Sequence, residues 1–195
     1  MEEPENKRQL QADAHREFIE RWSPRAFSPE HIPDATLAAL FEAARWAPSC
    51  FNEQPWLFLY AASEEDRALF LSCLVEFNQA WAGKAPVLAF VLARKRFAKN
   101  DKPNRWAPFD AGAAWMSIAL QARKLGLYTH GMAGFDEDRA FEVLKVPRDQ
   151  YDIMAAVAIG KYGDPDALPP EMRKSEAPND RKPLSEVAVE GVFAR

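Results

Sequence analysis

Cysteine is almost absent: Cys50 and Cys73 are the only two in 195 residues. Neither lies in a CxxC pair or a Cys/His cluster, which excludes a disulfide framework and leaves two free thiols. Histidine is nearly as scarce. His15, His31 and His130 have no partners at metal-ligand spacing, so no metal site is expected. Long apolar runs are also missing. The longest, residues 85–93, is interrupted by Pro86 and falls far short of the roughly 20 residues of a spanning helix, so no membrane segment is expected. The opening MEEPENKRQLQADAHREF has no apolar core of a secretory leader, which points to a cytoplasmic protein. Positive charge is not in excess: 25 Lys+Arg stand against 29 Asp+Glu, net −4, which argues against nucleic-acid binding. A G-x-G-x-x-G turn and a P-loop are both lacking, so no Rossmann-type dinucleotide cradle is indicated.

What is present describes one soluble domain, with 48% hydrophobic and 28% charged residues. Leu10, Ala14, Phe18 and Ile19 suggest an amphipathic helix over residues 8–20. Arg21 to Pro33 contains three prolines and must be extended. From Asp34, read as an N-cap, Leu37, Leu40, Phe41 and Ala44 share one helical face until Pro48. PWLFLYA, PVLAFVLA, LYTHGMAG and YDIMAAVAIGKY read as four strands. Between them, Ser63 with Asp66 caps one helix, Phe109 to Leu125 forms a long one closed by Gly126, and Asp136 caps another. Residues 94–107 read as a mobile basic loop. Residues 164–195 are rich in proline and charge and read as an extended arm without a core, wrapping a partner subunit, while 1–163 form the domain proper. The fold class is α/β or α+β, with helices on a central sheet.

Two clusters carry chemistry. Arg21, Ser23 and Arg25 alternate along the extended segment, so their side chains point the same way. Two guanidinium forks and a hydroxyl meet the needs of a phosphate dianion. The loop Pro48-Ser49-Cys50-Phe51-Asn52-Glu53-Gln54 gathers uncharged donors and acceptors suited to the imide-like edge of a flat heterocycle. Solvated surface arginines and ordinary loop turns employ the same residue types, so each cluster alone leaves both readings open.

RWSPRAF and APSCFNEQPW, in that order around one helix, match R-x-S-x-R/K-x-F and P-S-x-x-N-x-Q-P-W, and the chain resembles the FMN-dependent nitroreductase family. The likeness extends through Asp110-Ala-Gly-Ala-Ala, Gly131-Met-Ala-Gly-Phe135, Ile159-Gly-Lys161 and Arg181-Lys-Pro-Leu-Ser-Glu186. It implies an α+β homodimer: an α-β-α sandwich on a mostly antiparallel or mixed sheet, with arms exchanged and FMN at the interface. By that resemblance Arg21, Ser23 and Arg25 hold the flavin phosphate and ribityl end, helped by Arg181 or Lys182. Pro48, Ser49, Cys50, Asn52 and Gln54 line the flavin from the other subunit. Asn78 meets the pyrimidine edge, and Met132, Ala133 and Gly134 offer backbone contacts near the reactive nitrogens. Trp22, Trp106 and Phe109 are candidates for the pocket above the ring. Some family members have Glu where this chain has Ala133, and Asn is frequent where it has Ser117, so substrate preference does not carry over.

The activity implied is hydride transfer from NAD(P)H through bound FMN to an electron-poor acceptor such as a nitroaromatic or a quinone. No side chain is assigned as a catalytic acid or base, because the flavin supplies the reactive group. Alternatives are a flavin storage protein with little turnover, or flavin reductase, dehydrogenase or dehalogenase activity within the same family.

Overall fold

The computed structural model describes residues 3–192. Strands β1 (Trp56–Ala61), β2 (Val87–Arg94), β3 (Tyr128–Met132) and β4 (Tyr151–Gly160) pair antiparallel throughout, in the order β1-β2-β4-β3. The two central strands are the two most continuous apolar runs in the sequence. A strand covered on both faces must be apolar at every position, and β2 is buried from Val87 to Ala93.

Alternation along β2 divides the core in two. Val87, Ala89, Val91 and Ala93 face helices α2 (Asp34–Arg45) and α5 (Ala107–Lys124). Leu88, Phe90 and Leu92 face the opposite layer, which holds α3 (Glu64–Ser72), α4 (Glu76–Ala82) and α6 (Glu137–Val143). The inner stripe of α5 is Ala107, Ala111, Ala114, Ile118 and Ala122, small residues that let the helix lie close to the sheet. The helix stops in a Schellman arrangement: Leu127 N–H donates to Ala122 O at 2.8 Å and Gly126 N–H to Arg123 O at 3.1 Å, with Gly126 at φ 71°. Ser63 and Asp136 cap α3 and α6, each accepting from the N–H three residues on.

Four expectations need correction. The proposed helix over residues 8–20 is helical only in α1 (Glu17–Glu20); residues 8–16 hold no helix or strand, and Arg8 is engaged by the C-terminal segment. Asp34 is the first helical residue rather than the cap, and Pro33 takes the cap position with its fixed φ of −59°. Residues 94–107 are not a loose loop. Phe97 N–H donates to Lys102 O at 2.9 Å and Asn104 N–H to Lys95 O at 2.7 Å, closing a hairpin-like turn. The stretch from residue 164 does contribute to the core of its own chain: Leu168 and Met172, on either side of the start of α7 (Pro170–Arg173), are buried in the layer that holds Phe27 and Trp81. Each such side chain is worth about 1.5–3 kcal/mol in transfer terms. Around α8 (Leu184–Val187), Leu184, Val187, Val189 and Val192 are all exposed. The final three residues of the expected arm lie outside the described residues.

Candidate functional site

The Arg21 segment runs beside β3, at one edge of the sheet. His130 of β3 bonds through Nδ1 to Pro24 O at 2.8 Å, and its ring lies against Trp81. Burial lowers the His130 pKa to about 4, helped by the neighbouring Arg25 charge, so the imidazole is neutral near pH 7. Glu176, 7% exposed, accepts from the backbone N–H of Arg25 and of Ala26, both at 2.8 Å. Ser28 N–H donates to Lys161 O and Gly163 N–H to Ala26 O, which stitch the segment to the end of β4.

These ties leave the side chains free to converge. Arg21, Ser23 and Arg181 line two adjoining grooves of about 470 and 340 Å³. The larger also contains Arg8, Trp115 and Gly131, and the smaller Arg25, His130 and Asn179. Gly131 gives Trp115 room to approach: a Cβ there would lie a tight 3.3 Å from its ring. Asp180 also lines the larger groove, its carboxylate accepting from the N–H of Arg181 at 2.8 Å.

Among the described residues, Arg8, Arg21, Arg25 and Arg181 form no ion pair within 4 Å. The Nε of Arg25 is buried with no hydrogen-bond partner. Burial, and then the Arg181 charge, lower the pKa of Arg21; burial and the charges of Arg181 and Arg21 lower that of Arg8. Guanidiniums remain charged under such pressure, so the groove carries an excess of positive charge over the single Asp180 carboxylate, which suits a dianion.

The second cluster sits ahead of β1, at the opposite edge of the sheet. Phe51, Asn52 and Gln54 have φ of 54°, 57° and 49°, a left-handed run that non-glycine residues adopt only when held. Three side chains hold it. Ser49 Oγ accepts from Gln54 N–H at 3.0 Å, the buried Asp110 of α5 accepts from Cys50 N–H at 3.1 Å, and Glu53 accepts from Ala98 N–H at 2.6 Å and pairs with Arg94. Phe51 is driven outward and is 91% exposed. Pro48, Ser49 and Cys50 line a hollow of about 260 Å³ with Asp110 and the exposed rings of Trp106 and Phe109.

The expected residues thus separate into groups. Arg21, Ser23, Arg25 and Arg181 come together, whereas Lys182 faces Glu186 at 4.0 Å and does not line the grooves. Trp22, 4% exposed, lines the smaller groove beside Arg21 while its ring packs on Tyr128 and Tyr162; Trp106 and Phe109 line the separate hollow through exposed rings. Asn78 is buried and donates to Gly134 O at 2.9 Å, joining α4 to the segment after β3; Met132 is buried in the core. Neither cluster of polar residues touches the other: the groove and the hollow have no residue in common.

The sequence profile of the Nitroreductase family matches residues 19–76 and 61–161. The chain belongs to the nitroreductase family. A crystal structure described as an oxidoreductase containing FMN is 42% identical, with a TM-score of 0.91 and 98% of each chain covered. An FMN-dependent nitroreductase of Clostridium difficile R20291 is 26% identical, with a TM-score of 0.61 over 74% of this chain and 84% of its own. A Streptomyces coelicolor protein bearing the name "Putative NADH dehydrogenase/NAD(P)H nitroreductase" is 28% identical over 77% of this chain and 84% of its own length. Among the described residues of this nitroreductase-family chain, no helix is long and apolar enough to cross a membrane, and no group of three or more His, Cys, Asp or Glu is placed to hold a metal.

Sequence reasoning missed the supports of the site: Arg8, Glu53, Asp110, His130, Glu176 and Asn179. Asp110 stood in a motif but showed no sign of reaching Cys50, 60 residues earlier. Glu176 is one acidic residue in a charged, proline-rich stretch, and only its burial marks it.

Proposed function

We propose that this chain is an FMN-dependent oxidoreductase that takes electrons from NAD(P)H and passes them to an electron-poor aromatic or quinone acceptor. The observation that carries the reading is the convergence of Arg21, Arg25 and Arg181 with Ser23, uncompensated by any carboxylate within ion-pair distance among the described residues. The residues fit the cofactor's phosphate: two or three forks supply bidentate donors, and the buried Arg25 Nε–H awaits an acceptor. Names of similar proteins agree, since one structure contains FMN and relatives are named for NAD(P)H.

When bound, FMN supplies the redox step, accepting hydride from the nicotinamide and delivering two electrons to the acceptor. Ser49, Asn52 and Gln54 present hydroxyl and amide groups from a loop held rigid by Asp110 and Glu53, as orientation of a flat ring edge requires. Trp106 and Phe109 give the adjoining hollow an aromatic wall that suits stacking with a flat acceptor and excludes water.

The two clusters belong to opposite edges of one sheet, and the arm carries exposed apolar residues that this chain does not cover. Both facts support a homodimer in which Arg21, Ser23 and Arg25 of one protomer share a flavin with the Pro48–Gln54 loop of its partner.

The deciding experiment is the visible spectrum of the purified protein, recorded anaerobically before and after NADH or NADPH. Oxidised-flavin absorbance that bleaches with nicotinamide and returns with a quinone is expected. A colourless protein that refuses FMN overturns the reading, and a yellow protein that does not bleach is a flavin carrier instead.

A further inference from the structure

The chain before α1 has almost no regular structure, yet it is fastened on both sides. Arg8 Nη1 donates to Arg21 O at 2.7 Å and Ile19 O at 3.2 Å, while its Nε and Nη2 donate to Asn179 O at 2.6 Å and Asn179 Oδ1 at 2.9 Å. One guanidinium therefore bridges the phosphate-facing segment and a segment more than 150 residues away. Gln11 adds a second tie, its Oε1 accepting from Leu184 N–H at 2.7 Å. Asn6 orients the bridge, accepting from Arg8 N–H at 3.1 Å and donating to Ile19 O at 2.9 Å.

Asn179 is the junction. Its side-chain oxygen, already bonded to Arg8, also accepts from Arg181 Nη1 at 3.0 Å, so two cations share one neutral acceptor. That acceptor compensates neither charge. All Arg8 partners named above are neutral oxygens, and Asp180, its nearest acidic influence, is outweighed by burial and by Arg181 and Arg21.

We propose that Arg8 is a positioning residue of the anion site: it fastens residues 179–181 onto the Arg21 segment, so that Arg181 stands at the groove already ordered, and it adds a fourth positive charge there. Residues 174–183 contain no helix or strand, and ordering Arg181 only on ligand binding would subtract from affinity. The bridge removes that cost beforehand. The inference rests on the reading of the groove as the FMN phosphate site.

The test uses the full chain, freed of flavin and titrated separately with FMN and with riboflavin, which has the same ring and no phosphate. Arg8→Ala and Arg181→Ala should each weaken FMN roughly tenfold, a loss typical of a charge-assisted contact, with riboflavin affinity unchanged. The double variant should lose less than the product of the two single losses, because the ordering part of the Arg8 effect runs through Arg181. Arg8→Lys keeps the charge but replaces the planar fork with a single nitrogen that cannot reach all four oxygens on both segments, and should recover only part of the loss. Thermal melts of the flavin-free variants report folding separately. Equal weakening of FMN and riboflavin would reduce Arg8 to a folding contact and overturn the proposal. An Arg8→Ala variant that binds FMN normally, while Arg21→Ala does not, overturns it and leaves the phosphate site standing. If Arg21→Ala and Arg25→Ala also bind FMN normally, the phosphate reading itself fails, and the role of Arg8 with it.

Discussion

Glu176 holds Arg25 by its backbone rather than by its charge: the carboxylate accepts from Arg25 N–H at 2.8 Å and leaves the guanidinium Nε buried and unbonded. Glu176→Ala removes the acceptor for two buried N–H groups and should cost about 1–3 kcal/mol of stability, read by urea denaturation. Burial raises the Glu176 pKa above its ordinary value, so the folded chain keeps this proton more tightly than the unfolded one. The associated stability is fully present below the unfolded pKa and lost as pH rises through the folded value. Glu176→Gln cannot titrate, and its stability should lack that decline; parallel profiles for the two proteins would refute the assignment.

His130 works in the opposite sense. Its folded pKa of about 4 is below the unfolded 6.5, so it contributes stability that is present above pH 6.5 and lost as pH falls towards 4. The full loss is about 3 kcal/mol as an upper figure. His130→Gln retains a donor for Pro24 O and should flatten that limb of the acid-unfolding curve.

Two glycines should rank by what a methyl group would strike. At Gly163 a Cβ would meet backbone atoms of Phe27 at 2.4 and 2.5 Å, which cannot move aside. At Gly134 it would meet Asn78 Nδ2 at 2.6 Å, a side chain that can swing away at the loss of its bond to Gly134 O. Gly134→Ala should cost about 1–3 kcal/mol, and Gly163→Ala should cost more, measured as the difference in melting midpoint.

The exposed apolar residues of the arm give a test of association. Val187→Asp places a charge on a surface that the proposed dimer would cover, and if that dimer forms through the arm the substitution should shift it towards monomer in analytical ultracentrifugation. The same substitution on a solvated tail would change nothing.

Local signals were legible where local physics decides. Ser63, Asp136 and Gly126 act as read because a cap is settled within a few residues, and the four apolar runs form the sheet, with β2 buried on both faces at its centre. Arg21, Ser23 and Arg25 could be grouped because an extended chain has a fixed alternation. Two failures are local, the cap one residue early at Pro33 and the turn closed within residues 95–104, and the others are long-range. Leu10, Ala14, Phe18 and Ile19 have helical spacing, but Arg8 finds its acceptors 171 residues away, and that pull outweighs a marginal short helix. Leu168 and Met172 are two apolar residues in a stretch dominated by proline and charge, so composition concealed that they anchor it. Glu53, in the middle of the best motif, gave no sign that it would also fasten the loop at Ala98.

The placement of the two clusters on opposite edges of one sheet has a genetic consequence. In the proposed dimer each flavin takes its phosphate contacts from one protomer and its ring contacts from the other. A mixed dimer of two differently damaged chains, one lacking Arg21 and the other lacking Asn52, then contains one site with both lesions and one with neither. Two inactive alleles of this kind would complement each other when expressed together, and two alleles damaged in the same cluster would not.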